Sequence, residues 1–229
     1  TSRRIDLRYG ELKSTKEPIE FTKISNFTEG DNPSVAINDN NLFIMVNECE
    51  DKLEYHLGYL RDGTPTFYIK KKILPGSGKD PNVALNNRGQ VVLTYENNSD
   101  IYYIVGQFNE QSKTIDFSES SYLTSGRHPG IALTDDGDII LIHETKNLHN
   151  RKNPGEDGDF LTWARKRVML YYRYGELQME KQKIKFSNYI ELCSGLTPDI
   201  VLNNDKHIVE IHNRYSDSHI PYRVVDNSY

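Results

Sequence analysis

The chain has 229 residues, enough to bury a substantial core as one domain, and its mean hydropathy of -0.68 argues against a membrane span. A net charge of -5 and a pI near 5.8 argue against a nucleic-acid partner, because neutralising several phosphates needs a basic stripe. The runs Lys70-Lys71-Lys72 and Arg165-Lys166-Arg167 read as solvated charge, and 15 tyrosines against three methionines favour strands.

In chain order, an alternating apolar run at 5–9 ends at Gly10, and an alternating triplet follows at 19–21. Gly30-Asp31-Asn32-Pro33 then opens an apolar run at 35–37, a turn at 38–40, a second run at 42–46, a third at 53–57 closed by Gly58, and a fourth at 67–69. The same order restarts at Gly78-Lys79-Asp80-Pro81, at Gly126-Arg127-His128-Pro129 and at Gly195-Leu196-Thr197-Pro198. Apolar runs of this length between Gly, Asn, Asp and Pro predict strands, and the Asn- and Asp-rich turns predict hairpins. The first run of each unit is apolar throughout with a small central residue at Ala36, Ala84 and Ala132, which predicts a strand covered on both faces near an axis.

The prolines are 48, 48 and then 69 residues apart, so about 21 residues are added in the third unit, at 147–167. A four-stranded antiparallel unit with this period cannot bury its own apolar faces and must stack on its neighbours, which is the signature of a β-propeller. The expected fold is therefore all-β, a propeller of four-stranded antiparallel blades in four repeats of about 48 residues, either four-bladed or part of a larger ring. The domain is 1–229, with repeats starting near 29, 77, 125 and 194, and with residues 1–28 completing the last blade. Cys49 and Cys193 stand at different repeat positions, and no bridge between them is expected.

Within each unit the Gly-x-x-Pro loop and the end of the second strand meet on one face of the disc. That face collects Glu48, Glu96, Glu144 and Asn213, each 15 residues after its proline, with Tyr95, His143 and His212 just before them and Arg127 and His128 from the loops. Three uses compete for the repeated carboxylates: ligand contact, acceptance of backbone N–H groups from the adjacent loop, or pairing with Arg127 or His128 on a neighbouring loop. Trp163, in the insertion, offers an amphipathic ring to a sugar or a partner. No convergent catalytic set is visible, so a binding module rather than an enzyme is expected, with no metal and no cofactor.

The segments Asn32-Pro33-Ser34-Val35-Ala36-Ile37-Asn38-Asp39, Asp80-Pro81-Asn82-Val83-Ala84-Leu85-Asn86-Asn87 and Ile208-Val209-Glu210-Ile211-His212 resemble the repeat of the PLL-type bacterial β-propeller lectins. The tryptophan of that repeat is replaced here by Glu54, Tyr102, Tyr171 and Pro221. The resemblance implies a propeller that binds glycans or glycoproteins in clefts between or on its blades; the sequence leaves the compartment open, with a secreted or extracellular location favoured. The alternative is a protein-interaction or accessory propeller domain of a larger secreted toxin or enzyme, without sugar binding.

Overall fold

The computed structural model describes residues 3–10, 21–62, 64–145 and 168–213, together with the backbone of 222–225. The insertion at 147–167, with Trp163, and most of the triplet at 19–21 lie outside the described residues.

The described chain is all-β, built from antiparallel sheets in sequence order. An N-terminal pair, β1 (Arg4–Tyr9) and β2 (Thr22–Glu29), precedes sheet I, made of β3 (Asp31–Ile37), β4 (Leu42–Cys49), β5 (Lys52–Arg61) and β6 (Thr64–Ile73). Sheet II holds β7 (Lys79–Leu85), β8 (Gln90–Asn97), β9 (Asp100–Asn109) and β10 (Thr114–Phe117), and β11 (Ser121–Ser125) returns to pair with β9. Sheet III repeats this with β12 (Arg127–Leu133), β13 (Asp138–Glu144), β14 (Met169–Gln178), β15 (Lys183–Phe186) and β16 (Ile190–Ser194), the last pairing with β14. Sheet IV is β17 (Leu196–Leu202), β18 (Ile208–Asn213) and β19 (Tyr222–Val225).

The apolar alternation places one core between each pair of sheets. Val83, Leu85, Val91 and Leu93 of sheet II face Leu42, Ile44, Val46 and Leu57 of sheet I. The alternate residues Ala84, Val92 and Val105 face Ile131, Leu133, Ile139 and Leu141 of sheet III. In turn Ala132, Ile140 and Ile142 meet Ile200 and Ile208 of sheet IV. Period two with both parities apolar is what a strand sandwiched between two sheets requires. The innermost strands β3, β7, β12 and β17 lie side by side in that order, which makes the arrangement β-propeller-like.

Three expectations need correction. The fifth segments β11 and β16 are strands that the four-strand reading did not include. The fourth strands also align differently: Gly58 pairs with Phe67, whereas Gly106 pairs with Phe117 and Gly175 with Phe186, so Phe67 matches Phe117 rather than Ile115. The register slips between Leu57 and Gly58, whose partners are Ile69 and Phe67, so Tyr68 is an extra residue in a β-bulge. The coverage of the first strands also differs from expectation at the ends: β7 and β12 are covered on both faces, but β3 and β17 keep one face open.

Candidate functional site

The two ends of the inner strands form two rims. At the first rim each Gly-x-x-Pro loop has a register slip, between Asp31 and Ser34, Lys79 and Asn82, Arg127 and Gly130, and Leu196 and Asp199. The residue before each proline adopts a left-handed backbone, with φ of 48° at Asn32, 48° at Asp80, 46° at His128 and 45° at Thr197. Sterics disfavour this conformation for non-glycine residues, above all for a β-branched threonine, so surrounding contacts must hold it.

The repeated glutamates supply part of that hold. Glu48 Oε2 accepts the Asp80 N–H at 3.2 Å and the Asn32 amide at 3.0 Å, and Glu144 Oε1 accepts the Thr197 N–H. Each of these carboxylates therefore clamps the bulged loop of the next sheet. Glu96 departs from the pattern: its Oε1 faces Lys79 Nζ at 3.4 Å and Arg127 Nε at 3.9 Å. The first loop glycine is required by the residue before the glutamate, since a Cβ on Gly126 would meet the His143 ring at 2.6 Å, and one on Gly78 the Tyr95 ring at 2.6 Å.

The bulges turn the pre-proline side chains toward the axis. They line a mouth of about 410 Å³ with Ser34, Asn82 and Asp199. Asn32 donates to Asp80 Oδ1 at 2.7 Å, and His128 stands between Asp80 at 3.5 Å and Glu144 at 3.0 Å, in ion-pair contacts rather than aligned hydrogen bonds. The Glu144 carboxylate, helped by Asp80 and Glu96, holds the His128 imidazole above the usual histidine range against the opposing effect of burial.

The other residues singled out in the sequence are placed around this mouth rather than in it. Tyr95 is buried, its hydroxyl 2.6 Å from Ser120 Oγ, and stacks on Tyr102 with centroids 5.7 Å apart. His143 is buried with Nδ1 3.0 Å from the Glu144 carbonyl oxygen, and burial holds it below the usual range. His212 Nδ1 meets Glu210 Oε1 at 2.8 Å, Arg127 donates to Ser99 Oγ at 3.0 Å, and Asn213 donates to Thr197 Oγ1 at 2.6 Å.

The second rim is made of the hairpin turns. A ladder of alternating Asp and Asn runs across them: Asn87 Nδ2 donates to Asp39 Oδ2 at 2.8 Å and Asp135 Oδ2 at 2.9 Å, and Asn204 Nδ2 donates to Asp135 Oδ2 at 2.9 Å. The backbone N–H groups of Asp39, Asn87 and Asp135 each donate to the side-chain Oδ1 of the next turn, at 2.8, 2.8 and 2.9 Å. The Asn87 N–H, with the side chains of Asn87 and Asn204, holds the Asp135 carboxyl below the usual range.

On this rim, between sheets I and II, lies a cleft of about 410 Å³ that the sequence reading missed. The bulge presents Tyr68 to the cleft, where its ring is nearly parallel to Phe108, at 19° with centroids 6.3 Å apart. Lys113 Nζ lies 5.6 Å from the Tyr68 centroid and 5.8 Å from that of Phe108. Asn40, Asn87, Arg88, Gln107 and Glu110 supply polar groups around these rings. One signal was present in the chain: Phe67 follows Gly58 by 9 residues, whereas Phe117 and Phe186 follow Gly106 and Gly175 by 11.

No protein-family model matches the sequence, and no curated protein matches it. Solved structures do resemble the fold. A mutant of the NanB sialidase from Streptococcus pneumoniae is similar over 93% of this chain and 34% of its own, with 17% identity and a TM-score of 0.56. A protein from Lactobacillus plantarum (12% identity, 100% of this chain and 69% of its own) has a TM-score of 0.46, and the hydrazine synthase of Kuenenia stuttgartiensis (10%, 84% and 70%) one of 0.47. The chain spans about a third of the sialidase chain, and that likeness bears on fold alone.

Proposed function

We propose that this chain is a carbohydrate-binding module and that the cleft between sheets I and II receives the sugar. The observation that carries the reading is the near-parallel pair Tyr68 and Phe108 within a ring of amide, guanidinium, ammonium and carboxylate groups. A pyranose has one apolar C–H face and a rim of hydroxyls, so an aromatic plate bordered by Asn40, Asn87, Arg88, Gln107 and Glu110 matches its two chemistries. The resemblance to the PLL-type lectin repeat supports the same reading, with glycans or glycoproteins as partners and recognition between adjacent sheets.

The reading is of binding rather than turnover. The repeated carboxylates of Glu48 and Glu144 are engaged by loops of the following sheets, which suits a scaffold better than a reaction centre. A glycan array followed by titration with the free monosaccharide of the best glycan tests it. Tyr68→Ala should weaken binding at least about tenfold, equivalent to about 1.4 kcal/mol, while Tyr122→Ala, on an exposed ring outside the cleft, should leave it unchanged. Unchanged affinity in Tyr68→Ala, or no bound glycan at all, refutes the assignment. An accessory role within a larger protein is the second reading, favoured by the apolar faces left open at both ends of the array.

A further inference from the structure

Each internal sheet presents the same two faces. The face toward the following sheet carries Ala132, Ile140 and Ile142 in sheet III, and the face toward the preceding sheet carries Ile200 and Leu202 in sheet IV. By repeat position, Val201, Val209 and Ile211 are the sheet IV counterparts of the first set, and Val35 and Ile37 are the sheet I counterparts of the second. Both counterparts are bare: Val201 is 59% exposed, Val209 43% and Ile211 42% at one end, Val35 63% and Ile37 51% at the other. The array thus ends in two halves of one interface already built three times inside it.

The polar groups at the two ends are complementary as well. In the turn ladder Asn87 stands between two aspartates, whereas the ladder starts at Asp39 and stops at Asn204, which has an aspartate on one side only. Asn204 retains an amide proton and a backbone N–H where the next aspartate would stand, and Asp39 Oδ1 is the acceptor to which a preceding turn would donate. At the other rim, Ser34 Oγ and Asn82 Oδ1 accept the Val83 and Ile131 N–H groups of the neighbouring strand at 3.2 and 3.1 Å. Asp199 stands at the matching position at one end, and the Val35 N–H is the matching donor at the other.

The N-terminal pair does not fill this place. β1 corresponds by repeat to the third strand β9, and β2, like β11, pairs back onto it just before the next inner strand. Phe27 of β2 stacks on Phe67 with centroids 5.0 Å apart, and Phe67 meets Phe43 edge-on at 5.4 Å, which covers the outer part of sheet I. The two inner strand positions beside β3 are vacant among the described residues, and the missing pair is one with the face and the turn of β17 and β18.

We infer that this chain associates head to tail with a second copy of itself, β17 and β18 of one copy packing on β3 of the next and continuing the ladder from Asn204 to Asp39. The third place in the completed sheet is held by β1, so the incoming β19 gives way. Such a contact is heterologous, using a different face on each copy, and so it closes a ring or continues to a longer assembly.

This asymmetry makes the test specific. Sedimentation velocity of the whole chain at rising concentration should show a dimer or a larger assembly. Val35→Glu removes one face from every copy and Val201→Glu the other, so each variant alone should be monomeric. Mixed in equal amounts they should recover a discrete 1:1 dimer, because one intact face remains on each, and recovery also shows that both variants are folded. A wild-type chain that stays monomeric, or a mixture that fails to dimerise, overturns the inference.

Discussion

The two rims differ although the same repeat builds both. The turn rim is regular: Asp39, Asn87, Asp135 and Asn204 alternate, their backbone N–H groups donate in one direction from turn to turn, and the asparagine amides donate to the neighbouring aspartates. The loop rim repeats its backbone but not its side chains: left-handed backbone recurs at Asn32, Asp80, His128 and Thr197, yet the mouth contains an aspartate, a raised histidine, a threonine and a neutral asparagine where symmetry would place like groups. A rim whose polar groups satisfy one another can repeat at little strain. One that stores strained backbone needs a clamp at each unit, and the repeated glutamate supplies it at two of them.

Breaking the loop rim should have the largest effect on stability. Gly78→Ala drives a Cβ into the Tyr95 ring and the Glu96 carbonyl oxygen, and because the backbone cannot yield, a loss of about 1–3 kcal/mol is expected in chemical denaturation. At the turn rim, Asn87→Asp exchanges two amide donors for a third carboxylate between Asp39 and Asp135. The loss should be of similar order or smaller, about 1–3 kcal/mol, and should grow as the pH rises past about 4; a loss independent of pH would show that the ladder does not sense charge.

A smaller effect separates the rims by pH. His128 is held above the usual histidine range, so the stability from its contacts with Glu144 and Asp80 is complete below about pH 6.5 and is lost as the pH climbs through the raised value. His56 and His143 act oppositely: burial holds both below the usual range, so stability falls as the pH drops below about 6.5 and the unfolded chain takes up protons first. Thermal melts across this range should show a maximum, and His128→Gln should flatten only its alkaline side. The smallest effect belongs to the exposed Lys206–Asp138 pair at 2.8 Å, where Lys206→Ala should leave the melting temperature unchanged within error.

The repeat itself was legible because its signals are local. A glycine under the side chain before the glutamate, a proline, an apolar run and an Asx turn recur at fixed spacing, and each corresponds to a contact within one sheet or between neighbours. Glu48, Glu96, Glu144 and His128 were placed on the correct rim for the same reason. Tyr68 escaped because its position depends on a bulge, and a period-two reading of 67–69 moves the fourth strand by two residues.

Sequence alone determined that the chain forms stacked antiparallel sheets, since strand period and turn chemistry act over a few residues and are written in each unit. Only the tertiary structure decided which groups meet in clefts and which faces stay bare. The Tyr68–Phe108 cleft and the axial mouth join residues from different sheets, and the bare faces of β3 and β17 follow from what lies beside them, not from their own apolar pattern, which buried β7 and β12 share.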